Sequence, residues 1–284
     1  MADGVVIASD EVIARVDGSL PVCSQFTLDE LAGWERFLDP KYDPEHWGLR
    51  LENQARNDCR ANCGTTCVEV IEYRTKGVRE ELSRMWLYQR VELLDGTLGY
   101  DQGTTVQNGI IEETKVGLPA EKRYTYDRYT GNRAQLNRWM TPELFAEALT
   151  RRVAKASIAP EWPVALAHVA LGHPIDGASY WPLSFSYEDI GTGKQERVVR
   201  QYRGRHGRAG HAYAQAFVVR TPRGELLMKI PNSHGYYFYI AERAYTEMLD
   251  RRDNPFGMYQ LAGAKDPKAA YYTGQIPWLG TGEE

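Results

Sequence analysis

The sequence predicts an α+β protein, with helices gathered before about residue 172 and antiparallel strands after it. Three observations carry this. Apolar residues between Cys59 and Gly172 recur at helical spacing and are bracketed by capping residues. Beyond Gly172 the period changes to alternation. The run AYAQAFVVR-TPRG-ELLMKI then reads as a hairpin, and helices followed by strands mark the α+β class.

Along the chain, the first ~45 residues hold one short helix, TLDELAGWERFL, opened by Thr27, and DPKYDPEHWG is a loop of turn formers. Asp58 caps a helix over Cys59 to Arg74, closed by Gly77. Its Gly64, Thr65, Thr66 and Val68 are poor helix formers, so this helix needs tertiary burial. Further helices are expected over Val78 to Leu94, over Thr105 to Lys115, and over TPELFAEALTRRVAKA with Thr141 as cap and Pro142 in the first turn. Another runs from Pro163 to a Gly172 stop. HPIDGASY, YWPLSFSY, ERVVRQYR, HAYAQAFVVR, ELLMKIP and GYYFYI read as strands, and AERAYTEMLDRR as a late helix.

The 284 residues suffice for one sizeable domain or two closely packed lobes, and 25% charged residues with a net charge of -4 are ordinary for a globular protein. No Lys/Arg block is present to track a phosphate backbone, so nucleic acid is not an expected partner. The N-terminus does not read as a signal peptide, and no stretch reaches the ~20 apolar residues of a membrane span. A cytoplasmic or virion-associated setting is the expectation.

Cys23, Cys59, Cys63 and Cys67 are too unevenly spaced for a disulfide framework, and cysteines four apart on a helix are poorly placed to bridge. Free thiols are expected. No C-x2-C pair stands for zinc, so no metal or other cofactor is expected. In the first turn of its helix Cys59 meets unpaired amides that favour a thiolate, although the Asp58 carboxylate opposes this unless it caps. Cys63 and Cys67 lie deeper, where small core residues are wanted. A cysteine hydrolase needs a histidine oriented by an amide or carboxylate. His211 opens an apolar strand and Asn232 closes its partner, so a hairpin could join them.

These residues resemble those of papain-like cysteine peptidases. NQARNDC is similar to the family segment in which an Asn-Gln pair stands about six residues before the nucleophile; here Gln54 precedes Cys59 by five. Cys63 and Glu69 fit the family's small residue four positions on and its glutamate ten positions on. LSRMWLYQRVELLDG, GYDQGTTVQNGIIEETKVGLPAEKRYTYD and ALAHVALGHPIDGAS follow the family's order, then Gly210-His211-Ala212 matches its histidine strand and Asn232-Ser233-His234-Gly235 its Asn-Ser-Trp-Gly turn. The matches run in order from about residue 47 to 240, and 152 residues separate Cys59 from His211.

The resemblance implies a two-lobe fold with the site in the cleft: an N-terminal extension over 1-46, then a catalytic domain over 47-284. Within that domain it implies a helical lobe over about 47-156, a β lobe over about 157-250 and a tail over 251-284. It makes Cys59 the nucleophile, His211 its base, Asn232 the orienter and Gln54 an oxyanion donor. Substrate would lie against Gly103, Gly210 and His234. Because the Gln54 interval is one short, Cys63 remains a rival nucleophile, and His234 stands where the family has a tryptophan shield. The implied activity is hydrolysis of a peptide or isopeptide bond in a protein or peptide substrate. A transamidase, or a non-catalytic component of a phage or bacterial assembly, is the alternative; the sequence is nearer to bacterial or phage members than to secreted animal ones.

Overall fold

A computed structural model describes residues 5–9, 33–181, 183–202, 209–250 and 252–264. The helix expected from Thr27 lies mostly outside them, as does Cys23; its end, Trp34–Leu38, is a 3-10 turn. Seven α-helices are present among the described residues: α1 (Cys59–Lys76), α2 (Arg84–Asp95), α3 (Val106–Lys115), α4 (Arg133–Trp139), α5 (Pro142–Leu149), α6 (Trp162–Ala170) and α7 (Glu242–Leu249). The strands are β1 (Val5–Val6), β2 (Thr104–Thr105), β3 (Val153–Ile158), β4 (Ile175–Trp181), β5 (Ser186–Glu188) and β6 (Glu196–Val199). They continue with β7 (Ala209–Gln215), β8 (Phe217–Arg220), β9 (Leu226–Asn232), β10 (Tyr236–Ile240) and β11 (Met258–Ala264).

The strands make two sheets, one ordered β2-β1-β7-β4-β11-β3 and the other β5-β6-β10-β9-β8. The α+β class and the two-lobe plan hold: α1 to α5 form the helical lobe, and α1 lies against β4, β7 and β11. α1 is buried almost all round, which is how a segment of weak helix formers stays helical. Its interior carries charge. Arg60 reaches Glu113 at 2.8 Å and Asp176 at 3.0 Å, all three fully buried. Glycine makes room for it, because a Cβ on Gly109 would lie 2.1 Å from the Arg60 guanidinium.

Several boundaries differ from expectation. The helix expected from Val78 starts only at Arg84, because the Leu82 amide donates to Glu69 (2.8 Å) and the Ser83 amide to Pro119 O (2.9 Å), while Ser83 caps α2. The segment TPELFAEALTRRVAKA is helical only to Leu149; its end becomes β3, paired with β11 from a hundred residues away. β11 falls in what was expected to be a tail; it takes an inner place in the sheet, with Tyr259 and Leu261 fully buried. AYAQAFVVR divides at Ala216, so that β7 belongs to one sheet and β8 to the other. α4 was not anticipated; it is short, and only Leu136 of its residues is buried.

Buried ionisable groups give stability a definite pH dependence. Burial lowers His168 and His173 to about 4 and His211 to about 3. These groups take up protons only on unfolding, so they cost stability as pH falls below about 6.5. Burial raises Asp58 and Glu92 to about 7 and Glu69 and Glu113 to about 8. These stay protonated when folded, so their stabilisation is lost as pH rises from about 4.5 to 8. The two sets oppose between about 4.5 and 6.5. Four carboxyls outweigh three histidines there, so from these groups the melting temperature is expected to be highest near about pH 4.5–5 and to fall steadily towards pH 8.5, read by calorimetry; a higher value at pH 8.5 than at pH 5 contradicts this assignment.

Candidate active site

Cys59 is the first residue of α1, and Asp58 is its N-cap by backbone position, without a side-chain cap bond. The Asp58 carboxyl is fully buried, and burial raises it to about 7. Near neutral pH it is about half protonated, which weakens the opposition to a neighbouring thiolate that full ionisation would bring. The Cys59 sulfur lies against β7 and accepts from the Ala212 amide at 3.5 Å. His211 is therefore the neighbouring residue in the strand that the sulfur touches.

His211 Nε2 is 2.8 Å from Asn232 Oδ1, so the tautomer that satisfies this pair carries its proton on Nε2 and donates it to the amide. His211 Nδ1 is buried and has no hydrogen-bond partner, leaving a lone pair in a dry setting. Asn232 ends β9, which lies beside β7. The imidazole is wedged between two rings, His234 stacked at 4.5 Å and 9°, and Trp181 tilted at 4.4 Å. Trp181 also lies 5.7 Å from His234. His234 thus covers the ring as the expected tryptophan would, and Trp181, at the end of β4, adds a second cover. Burial lowers His211 to about 3, opposed by the Asn232 bond and reinforced by His234.

Gln54 lies beside the same turn. Its amide N–H donates to Ser233 O at 2.8 Å and its Oε1 accepts from Ser233 Oγ at 2.5 Å, while Nε2 donates to Arg56 O at 3.1 Å. Asn53 and His234 form a β-bridge. Ser233 therefore orients Gln54 between the residue that holds His211 and the residue that covers it, a role sequence reading did not assign. The Ser in the Asn-Ser-His-Gly turn was its only signal.

Cys63 sits one turn deeper. Its thiol donates to Asp176 Oδ1 at 3.2 Å, and burial, with Cys67 and Asp176 adding to it, raises its pKa well above the ordinary value. That favours the thiol over the nucleophilic thiolate. Cys63, Cys67 and Asp176 bring three donor atoms within 4.8 Å, but the Arg60 guanidinium already compensates Asp176 there. Cys59, Cys63 and Cys67 are all free thiols.

Gly103 (φ +94°) leads into β2, and Gly210 stands just before His211 in β7. β1 lies between them, with Val5 opposite Thr104 in parallel and opposite Gly210 in antiparallel pairing. A Cβ on Gly210 would lie 2.6 Å from Val5 O, so only glycine admits this approach. The chain's own N-terminal strand thus joins the edge of the helical lobe to the histidine strand. Cys59 and His211 are both fully buried beside it.

No family model matches the chain, and no curated protein matches it. Solved structures do. Xylellain, a cysteine protease from Xylella fastidiosa, superposes with a TM-score of 0.55 at 16% identity, over 93% of this chain and 92% of that one. Procathepsin B S9 from Trypanosoma congolense gives 0.58 at 14% identity, over 92% and 86%. Bromelain from Ananas comosus in complex with the E64 inhibitor gives 0.50 at 14% identity, over 78% and 97%. The chain has the papain-like cysteine peptidase fold.

Proposed function

We propose that the chain is a cysteine peptidase acting through a thioester at Cys59, in the papain-like manner. The observation that supports this most is the convergence of three elements: the α1 N-terminus brings the sulfur to β7, and β9 holds His211 by Nε2 so that Nδ1 keeps its lone pair. The Cys59 S–H proton passes to His211 Nδ1, and the sulfur attacks the substrate carbonyl carbon. The oxyanion is met by the Cys59 amide and Gln54 Nε2. His211 returns the proton to the departing amine as the C–N bond breaks, and water activated by His211 then cleaves the thioester. Asn232 keeps the ring in register through both steps. Among the described residues no helix is long and apolar enough to cross a membrane.

The test is alkylation with iodoacetamide and, separately, with a peptidyl epoxide, followed by peptide mapping. Modification is expected at Cys59, with Cys63 and Cys67 unmodified in the folded protein. Exclusive modification of Cys63 would transfer the role of nucleophile to it. The full burial of Cys59 and His211 favours one other reading, a papain-like component that binds without cleaving. A Cys59 that stays unreactive after the N-terminal strand is released would establish that reading. Transfer to an added amine instead of water would mark a transamidase.

A further inference from the structure

Asp101 is the one non-glycine residue with positive φ (+47°) among the described residues, in the turn between α2 and β2. Aspartate tolerates this conformation better than most residues, yet it still costs energy, and such strain survives only where surroundings impose it. The surroundings here are specific. Asp101 Oδ1 accepts from the Asn57 amide at 3.1 Å and from the Tyr88 hydroxyl at 2.8 Å. Its own carbonyl accepts a short bond from Asn57 Nδ2. Arg56 reaches Oδ2 at 3.8 Å. The Arg56 guanidinium also lies 4.1 Å over Tyr129, which stacks on Tyr88 at 5.9 Å, and this closes a ring of contacts.

Both ends of this clamp matter to the proposed chemistry. Arg56 and Asn57 lie between Gln54 and Cys59, and Arg56 O is the acceptor that Gln54 Nε2 holds. Two and three residues beyond Asp101 are Gly103 and Thr104, the edge to which an extended segment adds itself, as β1 does. We infer that Asp101 is a positioning residue that locks the peptide-binding edge to the oxyanion segment, so that a peptide paired at Thr104 presents its carbonyl to Cys59. This rests on the peptidase reading. The left-handed turn aims the carboxylate and the carbonyl of one residue at the same Asn57, so one side chain and its own backbone grip a single residue at two points.

The test uses the full chain and two reagents that reach the same sulfur. Iodoacetamide needs only access to Cys59, whereas a peptidyl epoxide must also align along the edge. The ratio of their second-order rates cancels any change in how often β1 leaves the cleft. Asp101→Ala removes both clamp and turn preference, Asp101→Gly keeps the left-handed conformation without the clamp, and Asp101→Asn keeps an acceptor that tolerates the turn. The epoxide-to-iodoacetamide ratio is expected to fall about tenfold or more in the Ala and Gly variants and to stay within about threefold of wild type in Asn. A Gly variant with the wild-type ratio would show that only the backbone conformation matters and would overturn the inference, as would an unchanged ratio in both. A merely structural role would slow both reagents alike. Should neither reagent modify Cys59 even after residues 2–9 are deleted, the peptidase reading itself falls, and the inference with it.

Discussion

Cys59→Ala is expected to lower hydrolysis of a protein substrate such as denatured casein by on the order of 10^4-fold or more, because the covalent route is lost entirely. His211→Ala is expected to lower it by about 10^2- to 10^4-fold, since the thiol loses its base and the amine its acid. Combined, the two changes should cost little more than Cys59→Ala alone, as members of one unit are not additive. Cys63→Ala separates the rivals. It removes a donor to Asp176, which keeps Arg60, so it should cost about 1–3 kcal/mol of stability while activity changes by only a few-fold. Far-UV circular dichroism and the melting temperature show that each variant is folded before rates are compared. Loss of activity in Cys63→Ala with retention in Cys59→Ala would reverse the assignment.

How much of this the sequence discloses depends on whether a feature is local. The Asp58–Cys59 helix start and the Gly77 stop are written within a few residues and stand where expected. The pairing of His211 with Asn232 spans a hairpin and was open to inference from strand ends, since the partners are only 21 residues apart. Trp181 over His211, Cys63 on Asp176 and Asn57 on Asp101 join segments 30 to more than 100 residues apart, and no period or spacing marks them. Strand identity was lost for the same reason. Val153 to Ile158 follow a helical run and become a strand only because β11 returns to pair with them. β1 is two residues long, too short for any alternating pattern, and exists by virtue of its two neighbours. Cys59 illustrates the divide well. Its place on α1 is local, but its burial is imposed by what lies opposite.

That burial leads to the second expected result: loss of the N-terminal strand raises the reactivity of Cys59. β1 holds its place by pairing with Thr104 and Gly210 and by burying Val5, which is 6% exposed. A buried valine contributes about 1.5–2 kcal/mol, and each net backbone hydrogen bond about 1 kcal/mol, less the entropy of ordering the segment. A closure energy of about 2–4 kcal/mol keeps the open form near one part in 30 to 1,000. Deleting residues 2–9 should therefore raise the iodoacetamide rate at Cys59 by about 10- to 10^3-fold, with a parallel gain in peptide hydrolysis. Val5→Asp tests the same contact in a chain of full length, because the new carboxylate favours water over the sheet. An increase in both variants, with melting behaviour near that of wild type, identifies β1 as the element that closes the cleft. If neither variant accelerates alkylation, the seal over Cys59 and His211 is made by the lobes themselves, and the proposed chemistry would need the lobes to part.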